Sequence, residues 1–486
     1  MTGVKAAATT VVLLRVDRAA DRHTRHPRHL HPALDLKYIE AALTTAPNVV
    51  PVLLDGWLTP FCVDRMARTV LDLAPRIAVL RAVSWCLEES VALGARLRQA
   101  GVITVAVGQQ VEHAQRVAVP GWSAAFDLCL AGEPESLLPA LLTPLITDLH
   151  DGCAPAEALA RTASRLKEAG QGVVDAPDCL PLPRYSAEEL AAYPFPFPLP
   201  GHAPRERWGY VLTSWGCPRT CQHCTALVRR SVDRRLRTRA IASVVDEVEA
   251  LRDAGADALY FEDDSLFVHK AHALALADML IRRNINLPWL ANARPDELDA
   301  ERVAAAKGSG AALLKVGVDT GSPRLIEAIG KARNGEAWVA ATQDSFARLR
   351  TQRIGSVAML TVGLPGETEA DAERSLALAL RCHPDYLQVQ AYRAYPDVAL
   401  WPDLPESVRR QAANGEYHYA KGSNCSAMAD ERLDSLAAQF YRRYYFRPAF
   451  VAWHLRHSWR HYGSLAGMRQ AAAWLRFLVR RPIACT

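Results

Sequence analysis

The sequence predicts an α/β protein made of two parallel sheets that follow one another along the chain. Short β-branched runs alternate with amphipathic helical stretches in two series, one before residue 150 and one after residue 206. Such alternation is typical of parallel β-α-β units. A proline-rich segment separates the two series, and prolines at that density favour extended backbone between folded units. At roughly 150 residues per domain, the 486 residues accommodate both units and an extension.

The first series predicts an open, doubly wound sheet of five strands in residues 1–150. Sheets of this kind bind ligands at the carboxyl ends of their strands, so the loops that begin there hold the candidate ligand contacts. No Gly-x-Gly-x-x-Gly follows the first strand, which argues against a classical dinucleotide site. The predicted strands are 10–16, 49–54, 77–80, 102–107 and 126–130.

The second series predicts a partial barrel of six β-α units in residues 206–400. In such barrels the chemistry lies at the carboxyl ends of the strands. The proline-rich linker then covers residues 151–205, and residues 401–486 are predicted to form a helical extension. The predicted barrel strands are 210–213, 258–261, 288–292, 313–318, 356–362 and 386–390.

The composition supports a buried core and excludes several classes of protein. Half of the residues are hydrophobic and 22% are charged, which excludes wholesale disorder, a collagen-like repeat and a small disulfide-stabilised fold. The eleven cysteines are an odd number, as expected of reduced thiols or metal ligands. No apolar stretch approaches the ~18 residues of a membrane span. We therefore expect a cytoplasmic protein.

The net charge of +5 conceals a basic tail, because residues 441–486 contain nine arginines and no acidic residue. A basic, aromatic-rich tail suits nucleic acid or an anionic membrane surface. We favour the alternative of a helical cap with arginines at its rim, because positive charge alone identifies no partner. The aromatic residues that this cap would pack inward are Trp453, Trp459, Trp474 and Phe477.

Three cysteines follow the first predicted barrel strand at CxxxCxxC spacing, namely Cys217, Cys221 and Cys224. This spacing can bring three thiolates to one side of a single loop. A structural zinc site takes four protein ligands, yet the next cysteine is the distant Cys382 and the only local histidine is His223. A 4Fe–4S cluster held by three thiolates leaves one iron open to a substrate. A zinc site completed from a distance and accidental spacing are the alternatives.

This motif resembles that of the radical S-adenosylmethionine (SAM) superfamily. Five further segments resemble the branch with an N-terminal cobalamin-binding domain, which includes the class B radical SAM methyltransferases. The resemblance implies a 4Fe–4S cluster on the three cysteines, SAM at its open iron, and cobalamin on a Rossmann-like first domain. The cobalamin signature Asp-x-His-x-x-Gly is absent, so we predict no histidine as lower ligand. The segments are 36–43, 131–136, 261–267, 317–322 and 363–368.

The positions of polar residues at the strand ends suggest which side chains contact the cofactors. A carboxylate there can accept hydrogen bonds from the ammonium or ribose of SAM, and an arginine can pair with a carboxylate. Helix N-capping is the alternative role for each aspartate. The SAM candidates are Asp263, Asp264, Arg294 and Asp319. The cobalamin candidates are Ser84, Gly108, Gly132 and Glu133.

The resemblance implies a cobalamin-dependent radical SAM methyltransferase that moves a methyl group from SAM, via methylcobalamin, to an unactivated carbon. We expect a small-molecule substrate, in particular a natural product, and an external electron donor of the flavodoxin or ferredoxin type. One alternative is a related enzyme that cyclises, rearranges or oxidises its substrate without methylation. Others are a methylthiotransferase with a second cluster on Cys62, Cys86 and Cys129, and a non-catalytic partner that binds cobalamin or nucleic acid. We do not expect nucleic acid as a partner.

Overall fold

The computed structural model describes most of the chain. No described helix is both long and apolar enough to cross a membrane. The described residues are 8–17, 31–83, 86–116, 118–195, 198–224, 232, 234–392, 394, 398–413, 424–448, 450, 452, 465, 468, 469 and 472. Ser84 and the tail residues Trp453, Trp459, Trp474 and Phe477 lie outside them.

The first unit is the doubly wound parallel sheet that the sequence predicts. Its strands are β1 (Thr9–Arg15), β2 (Val49–Asp55), β3 (Ile77–Arg81), β4 (Ile103–Gly108) and β5 (Leu128–Ala131). Its helices are α1 (Leu34–Thr44), α2 (Val63–Asp72), α3 (Leu87–Gln99), α4 (Gln110–Arg116), α5 (Trp122–Ala125) and α6 (Pro134–His150). The strand order is β2-β1-β3-β4-β5. The order therefore reverses between β1 and β3, which is where such sheets open a crevice for ligands.

Helices cover both faces of this sheet, which explains the unbroken apolar runs in its strands. Val12 and Leu14 of β1 pack with α2 and α3 on one face. Val11 and Leu13 pack with α1 and α6 on the other face. All four side chains are fully buried, because successive residues of a strand point to opposite faces and both faces lie inside the protein.

The segment predicted as an extended linker, residues 151–205, begins with a helix. Helix α7 (Pro155–Ala169) packs Ala158 into the core beneath α6, and α8 (Ala187–Ala191) follows with a capping box at Ser186. The proline content does not prevent α7, because Pro155 occupies the first helical position, where no backbone N–H is needed. The domain limits themselves stay a prediction.

The second unit contains the six predicted parallel strands. They are β6 (Trp208–Val211), β9 (Ala258–Phe261), β10 (Trp289–Ala293), β11 (Ala311–Asp319), β12 (Gly355–Val362) and β13 (Tyr386–Ala391), and a small antiparallel ladder of β7 (Ser214–Trp215) and β8 (Arg237–Thr238) follows β6. The helices are α9 (Ile241–Asp253), α10 (Lys270–Arg282), α11 (Ala300–Gly308), α12 (Pro323–Ala328), α13 (Gly335–Thr351), α14 (Glu369–Cys382), α15 (Glu406–Ala413) and α16 (Asp430–Tyr445). The sheet order is β13-β12-β11-β10-β9-β6, so the described strands form the predicted partial barrel.

The connector between the units packs against the inner face of this barrel. The ring of Phe195 lies 5.1 Å from that of Trp208 and 5.7 Å from that of Tyr260. A Cβ on Gly355, the first residue of β12, would lie 2.6 Å from Cγ of Pro200. The amino end of the barrel is therefore filled by side chains, and its carboxyl end faces the first unit.

Tyr38 of α1 joins the first unit to the barrel through a buried network. Its hydroxyl accepts a hydrogen bond from Arg239 (3.2 Å) and donates one to Glu247 (3.4 Å), and Arg239 and Glu247 also form an ion pair. All three residues are buried. Because the charges compensate each other and the hydroxyl is satisfied, this polar junction can lie between two apolar cores, although Oε1 of Glu247 has no hydrogen-bond partner among the described residues.

The edge strand β13 is covered by tyrosine side chains of α16. The hydroxyl of Tyr445 accepts a hydrogen bond from the backbone N–H of Leu387 (2.7 Å), and that of Tyr441 accepts one from Val389 (2.9 Å). The two tyrosines lie four residues apart on one face of the helix, so they match alternate N–H groups of the strand. The aromatic residues at the start of the basic tail thus complete the sheet edge.

We expect Tyr445→Phe to lower the free energy of unfolding by about 1–3 kcal/mol, because it leaves the buried N–H of Leu387 without an acceptor. Urea denaturation followed by circular dichroism measures the change. Phe446→Tyr is the matched control, since Phe446 is 60% exposed and should change stability by less than about 0.5 kcal/mol. Equal losses in both variants would contradict a role for the hydroxyl in covering the strand edge.

Candidate active site

A cleft lies between the carboxyl edge of the first sheet and the rim of the barrel, and it encloses about 1010 Å³ when the open solvent at its mouth is included. Gly108 and Gly132 line it from the first unit, at the ends of β4 and β5. Ser214, Gly216 and Asp264 line it from the barrel. The carboxyl ends of the strands of both sheets, where ligands are expected to bind, therefore face a common space.

Gly216 directs the chain from β7 into the cysteine loop. Its φ angle is +84°, and a Cβ there would lie 2.0 Å from the carbonyl oxygen of Arg235. No other residue type fits, because both the left-handed backbone and the close approach require the absence of a side chain. Gly216 thus fixes the point at which the cysteine loop, starting with Cys217, leaves the wall of the cleft.

The cysteine loop is held in place by backbone and side-chain contacts from the barrel. The N–H of Gln222 donates to the carbonyl of Ile329 (2.8 Å), and the carbonyl of Gln222 accepts from the N–H of Leu400 (3.0 Å). Arg219 donates to the buried carboxylate of Glu297 through Nε (3.1 Å) and Nη2 (2.5 Å). These contacts reach the loop from three separate strand ends, so the loop has one defined position.

Cys217, Cys221 and Cys224 carry half-buried thiols on this loop that form no disulfide. No three His, Cys, Asp or Glu side chains in the described part of the chain are already gathered as a metal site. Burial raises the pKa of the Cys217 thiol, so the thiolate forms there when a metal binds it. Three thiols on one anchored loop are a donor set that fits a 4Fe–4S cluster.

Two cations lie next to Cys221, and one of them is the predicted residue Arg294. Its Nη1 lies 3.4 Å from Sγ of Cys221, while its other nitrogens donate to Asp296 (3.0 Å) and to the carbonyl of Lys331 (2.9 Å). Lys331 is the second cation. Burial lowers the pKa of its ammonium, but Asp319 and, to a smaller extent, Cys221 raise this pKa, and the net shift is upward. Positive charge of this kind stabilises thiolates.

Asp319 lies at the end of β11, as predicted, but its carboxylate contacts protein groups. It accepts from Nζ of Lys331 (2.7 Å) and lies 3.4 Å from Nε2 of His223. Burial alone would raise the pKa of Asp319, but the ammonium of Lys331 and the imidazole of His223 hold it below its usual range. Lys331 could not be predicted from the sequence, since nothing local links it to the cysteine motif.

The two predicted aspartates after β9 have different surroundings. Asp264 lines the cleft, in agreement with its predicted position. Asp263 is buried, and its carboxylate accepts from the N–H (3.2 Å) and hydroxyl (2.9 Å) of Thr213 and from the hydroxyl of Ser214 (2.5 Å). This carboxylate therefore holds the turn between β6 and β7, just before the cysteine loop, and a contact of Asp263 with SAM stays a prediction.

Glu133, predicted to contact cobalamin, is a buried tie between the two units. Its carboxylate forms two hydrogen bonds with Arg237 (2.7 and 2.8 Å) and accepts from the N–H of Val174 (2.7 Å). Glu133 also lines the cleft, and its contact with cobalamin stays a prediction. Gly132 has a φ angle of +90°, and a Cβ there would lie 2.4 Å from the carbonyl oxygen of Gly172.

Glu135 is a cleft residue that the sequence did not single out. It is buried at the start of α6, where Oε1 accepts from Nε1 of Trp215 (3.2 Å) and Oε2 has no hydrogen-bond partner among the described residues. Burial, and then the nearby charge of Asp35, raises the pKa of Glu135 to about 8. The carboxyl group is thus neutral at pH 7 and faces the cleft with an unused oxygen.

Because the pKa of Glu135 is raised, we expect the free energy of unfolding to decrease as the pH increases from 5 to 8. In that range the folded protein holds a proton that the unfolded chain has released, so the free energy of unfolding decreases by up to about 1.4 kcal/mol per pH unit. Urea midpoints measured across this range should show a shallower slope in Glu135→Gln. The exposed Glu112→Gln should keep the wild-type slope, and an unchanged slope in Glu135→Gln would contradict the assignment.

The fold resembles solved structures of a radical SAM methyltransferase. The enzyme TsrM from Kitasatospora setae, with tryptophan substrate and a SAM analogue bound, aligns over 82% of this chain and 76% of that chain at a TM-score of 0.59 and 18% identity. The same enzyme with cobalamin and a [4Fe-4S] cluster bound aligns at a TM-score of 0.56 and 16% identity. At this identity the likeness concerns the fold.

The sequence comparisons match part of the chain. An uncharacterized methyltransferase of Pyrococcus horikoshii is 24% identical over 225 residues, which cover 46% of this chain and 44% of that protein. The ribosomal protein methylthiotransferase RimO of Syntrophotalea carbinolica is 32% identical over 220 residues, which cover 42% and 47%. The chain thus matches less than half the length of either relative. Residues 211–379, which contain the cysteine loop and its supporting strands, match the Radical SAM superfamily, so the chain contains a radical SAM domain.

Proposed function

We propose that this enzyme is a cobalamin-dependent radical SAM methyltransferase that transfers a methyl group from SAM to a carbon atom of a small molecule. The observation that carries the proposal is the cleft in which the cysteine loop meets the carboxyl edge of a doubly wound sheet. The fold of TsrM and the methyltransferase among the sequence relatives support the same activity. An external electron donor of the flavodoxin or ferredoxin type belongs to the proposal.

The residues of the cleft fit both groups. Cys217, Cys221 and Cys224 would hold the cluster. The cleft is open to solvent, and Gly108 and Gly132 line it without side chains, so a bulky cofactor would lie against their backbone. When bound, the cluster supplies the electron that cleaves SAM, and cobalamin carries the methyl group.

The surrounding side chains prepare this space for charged and radical chemistry. Arg294 and Lys331 compensate the negative charge that accumulates beside Cys221. Asp264 offers a carboxylate at the rim, where an ammonium group would find an acceptor. Trp57 and Trp215 are apolar walls of the cleft, which limit the access of water to a reactive intermediate.

A test uses the anaerobically reconstituted enzyme with SAM, hydroxocobalamin and a strong reductant. Mass spectrometry should detect 5′-deoxyadenosine, and also S-adenosylhomocysteine that forms only when cobalamin is present. Deoxyadenosine alone, independent of cobalamin, would contradict methyl transfer and favour a cyclisation, rearrangement or oxidation. The mass of the eventual product separates these reactions, because only methylation adds a methyl group.

We expect Cys221→Ala to abolish both products, by at least about 100-fold, since a cluster ligand is lost. The matched control is Cys179→Ala, because Cys179 is an exposed free thiol in the connector and should leave both rates unchanged. Iron content and the absorbance of the cluster are measured on the same samples. Full activity in Cys221→Ala would contradict the assignment of the motif.

We expect Arg294→Gln to slow SAM cleavage by about 10–100-fold, because it removes a cation next to a ligand sulfur. The loss of positive charge should also shift the reduction potential of the cluster to more negative values. A redox titration followed by electron paramagnetic resonance measures that shift. Arg282→Gln, an exposed arginine on α10, is the control, and an unchanged potential in Arg294→Gln would contradict an electrostatic role.

The methylthiotransferase alternative requires a second cluster on Cys62, Cys86 and Cys129. Cys86 is buried and donates to the carbonyls of Val16 and Val83 (3.5 and 3.7 Å), whereas Cys62 is exposed at the start of α2. Iron analysis of the reconstituted enzyme decides the matter, since one cluster gives about four irons per chain and two give about eight.

A further inference from the structure

Lys315 lies on the inner face of the barrel, in the middle of β11. It pairs in register with Asn292 of β10 on one side and with Val357 of β12 on the other. Partners in register share a face of a parallel sheet, and Val357 belongs to the apolar cluster that fills the lower part of this face. Lys315 itself is only 8% exposed.

The ammonium of Lys315 has a single hydrogen-bond partner among the described residues. It donates to the hydroxyl of Tyr260 (3.3 Å), which donates to Oδ1 of Asn292 (3.0 Å). The amide nitrogen of Asn292 in turn donates to the carbonyl of Asp263 (2.8 Å). The lysine uses one of its three N–H donors for the hydroxyl of Tyr260. The other two donors have no acceptor among the described residues.

No carboxylate of the described chain compensates this charge. The other two buried cations nearby have their own partners, as Arg294 pairs with Asp296 and Lys331 with Asp319. The rings of Tyr260 and Phe195 lie 5.5 and 6.0 Å from the ammonium and provide a modest cation–π contact. Buried lysines are almost always paired, so this one lacks an anion.

The inner face above Lys315 is partly accessible, and we call it the lumen of the barrel. Met359, Thr361 and Gln388 lie one or two registers nearer the rim on the same face, and each keeps part of its surface accessible. Oε1 of Gln388 has no hydrogen-bond partner in the described part of the chain. Partly accessible side chains, two of them polar, therefore lie between the lysine and the rim.

We infer that Lys315 binds an anionic oxygen group of the substrate, a carboxylate or a phosphonate, inside the barrel. Two free N–H donors and an unpaired positive charge match such a group, whereas a neutral group would leave the charge uncompensated. That the anion belongs to the substrate rests on the proposed function, but anion binding at Lys315 does not. The lysine thereby selects substrates by charge and fixes their depth in the lumen.

The test uses saturation-transfer NMR with the reconstituted enzyme, its cluster, cobalamin and saturating SAM, so that the site for the SAM carboxylate is already filled. The probes are phenylacetate, phenylphosphonate and the neutral phenylacetamide. We expect at least one anionic probe to bind tenfold more tightly than the neutral probe. Whichever anion binds more tightly identifies the group, carboxylate or phosphonate.

Variants at Lys315 assign this binding to the lysine. Lys315→Met should remove the preference for the anion, Lys315→Arg should keep it, and Lys307→Met, at an exposed lysine of α11, should leave it unchanged. Equal binding of charged and neutral probes, or an unchanged preference in Lys315→Met, would overturn the inference. Deoxyadenosine formation and methyl transfer are measured in parallel. If the enzyme binds the anion but transfers no methyl group, the proposed function is refuted and anion binding at Lys315 stands.

Discussion

The buried ion pair between Glu133 and Arg237 fixes the cysteine loop relative to the first sheet. Glu133 follows the last strand of that sheet directly, and Arg237 pairs in the β7–β8 ladder with Trp215, two residues before Cys217. Two parallel hydrogen bonds define both distance and orientation. Loss of either partner would leave an uncompensated charge in the interior, so the cleft depends on this contact more than on any cofactor residue.

Around the cysteine loop, the buried cations are paired with carboxylates. Arg294 and Lys331 lie beside Cys221, and they form ion pairs with Asp296 and Asp319, respectively. The arrangement keeps the region close to neutral while it presents positive charge to the sulfur. Lys315 departs from this pattern, and it does so in the lumen, where a substrate can supply the missing negative charge.

The sequence predicted the strands and the cysteine loop because both signals are local. Strands buried on both faces produce continuous apolar runs, and the spacing of three cysteines lies within eight residues. The hydrogen bonds of Asp263 and Glu133 could not be predicted because their partners, Thr213 and Arg237, are 50 and 104 residues away. Glu135 and Lys331 were missed for the same reason, since only the folded chain brings them to the cleft.

The tyrosines that cover β13 are synthesised later than the strand itself. The hydroxyls that satisfy the last barrel strand belong to Tyr441 and Tyr445, more than 50 residues after it. During synthesis, therefore, the barrel sheet leaves the ribosome with an open edge, which can pair with another chain until α16 arrives. Protection by chaperones at this stage would matter more for the yield of active enzyme than the final stability of the barrel.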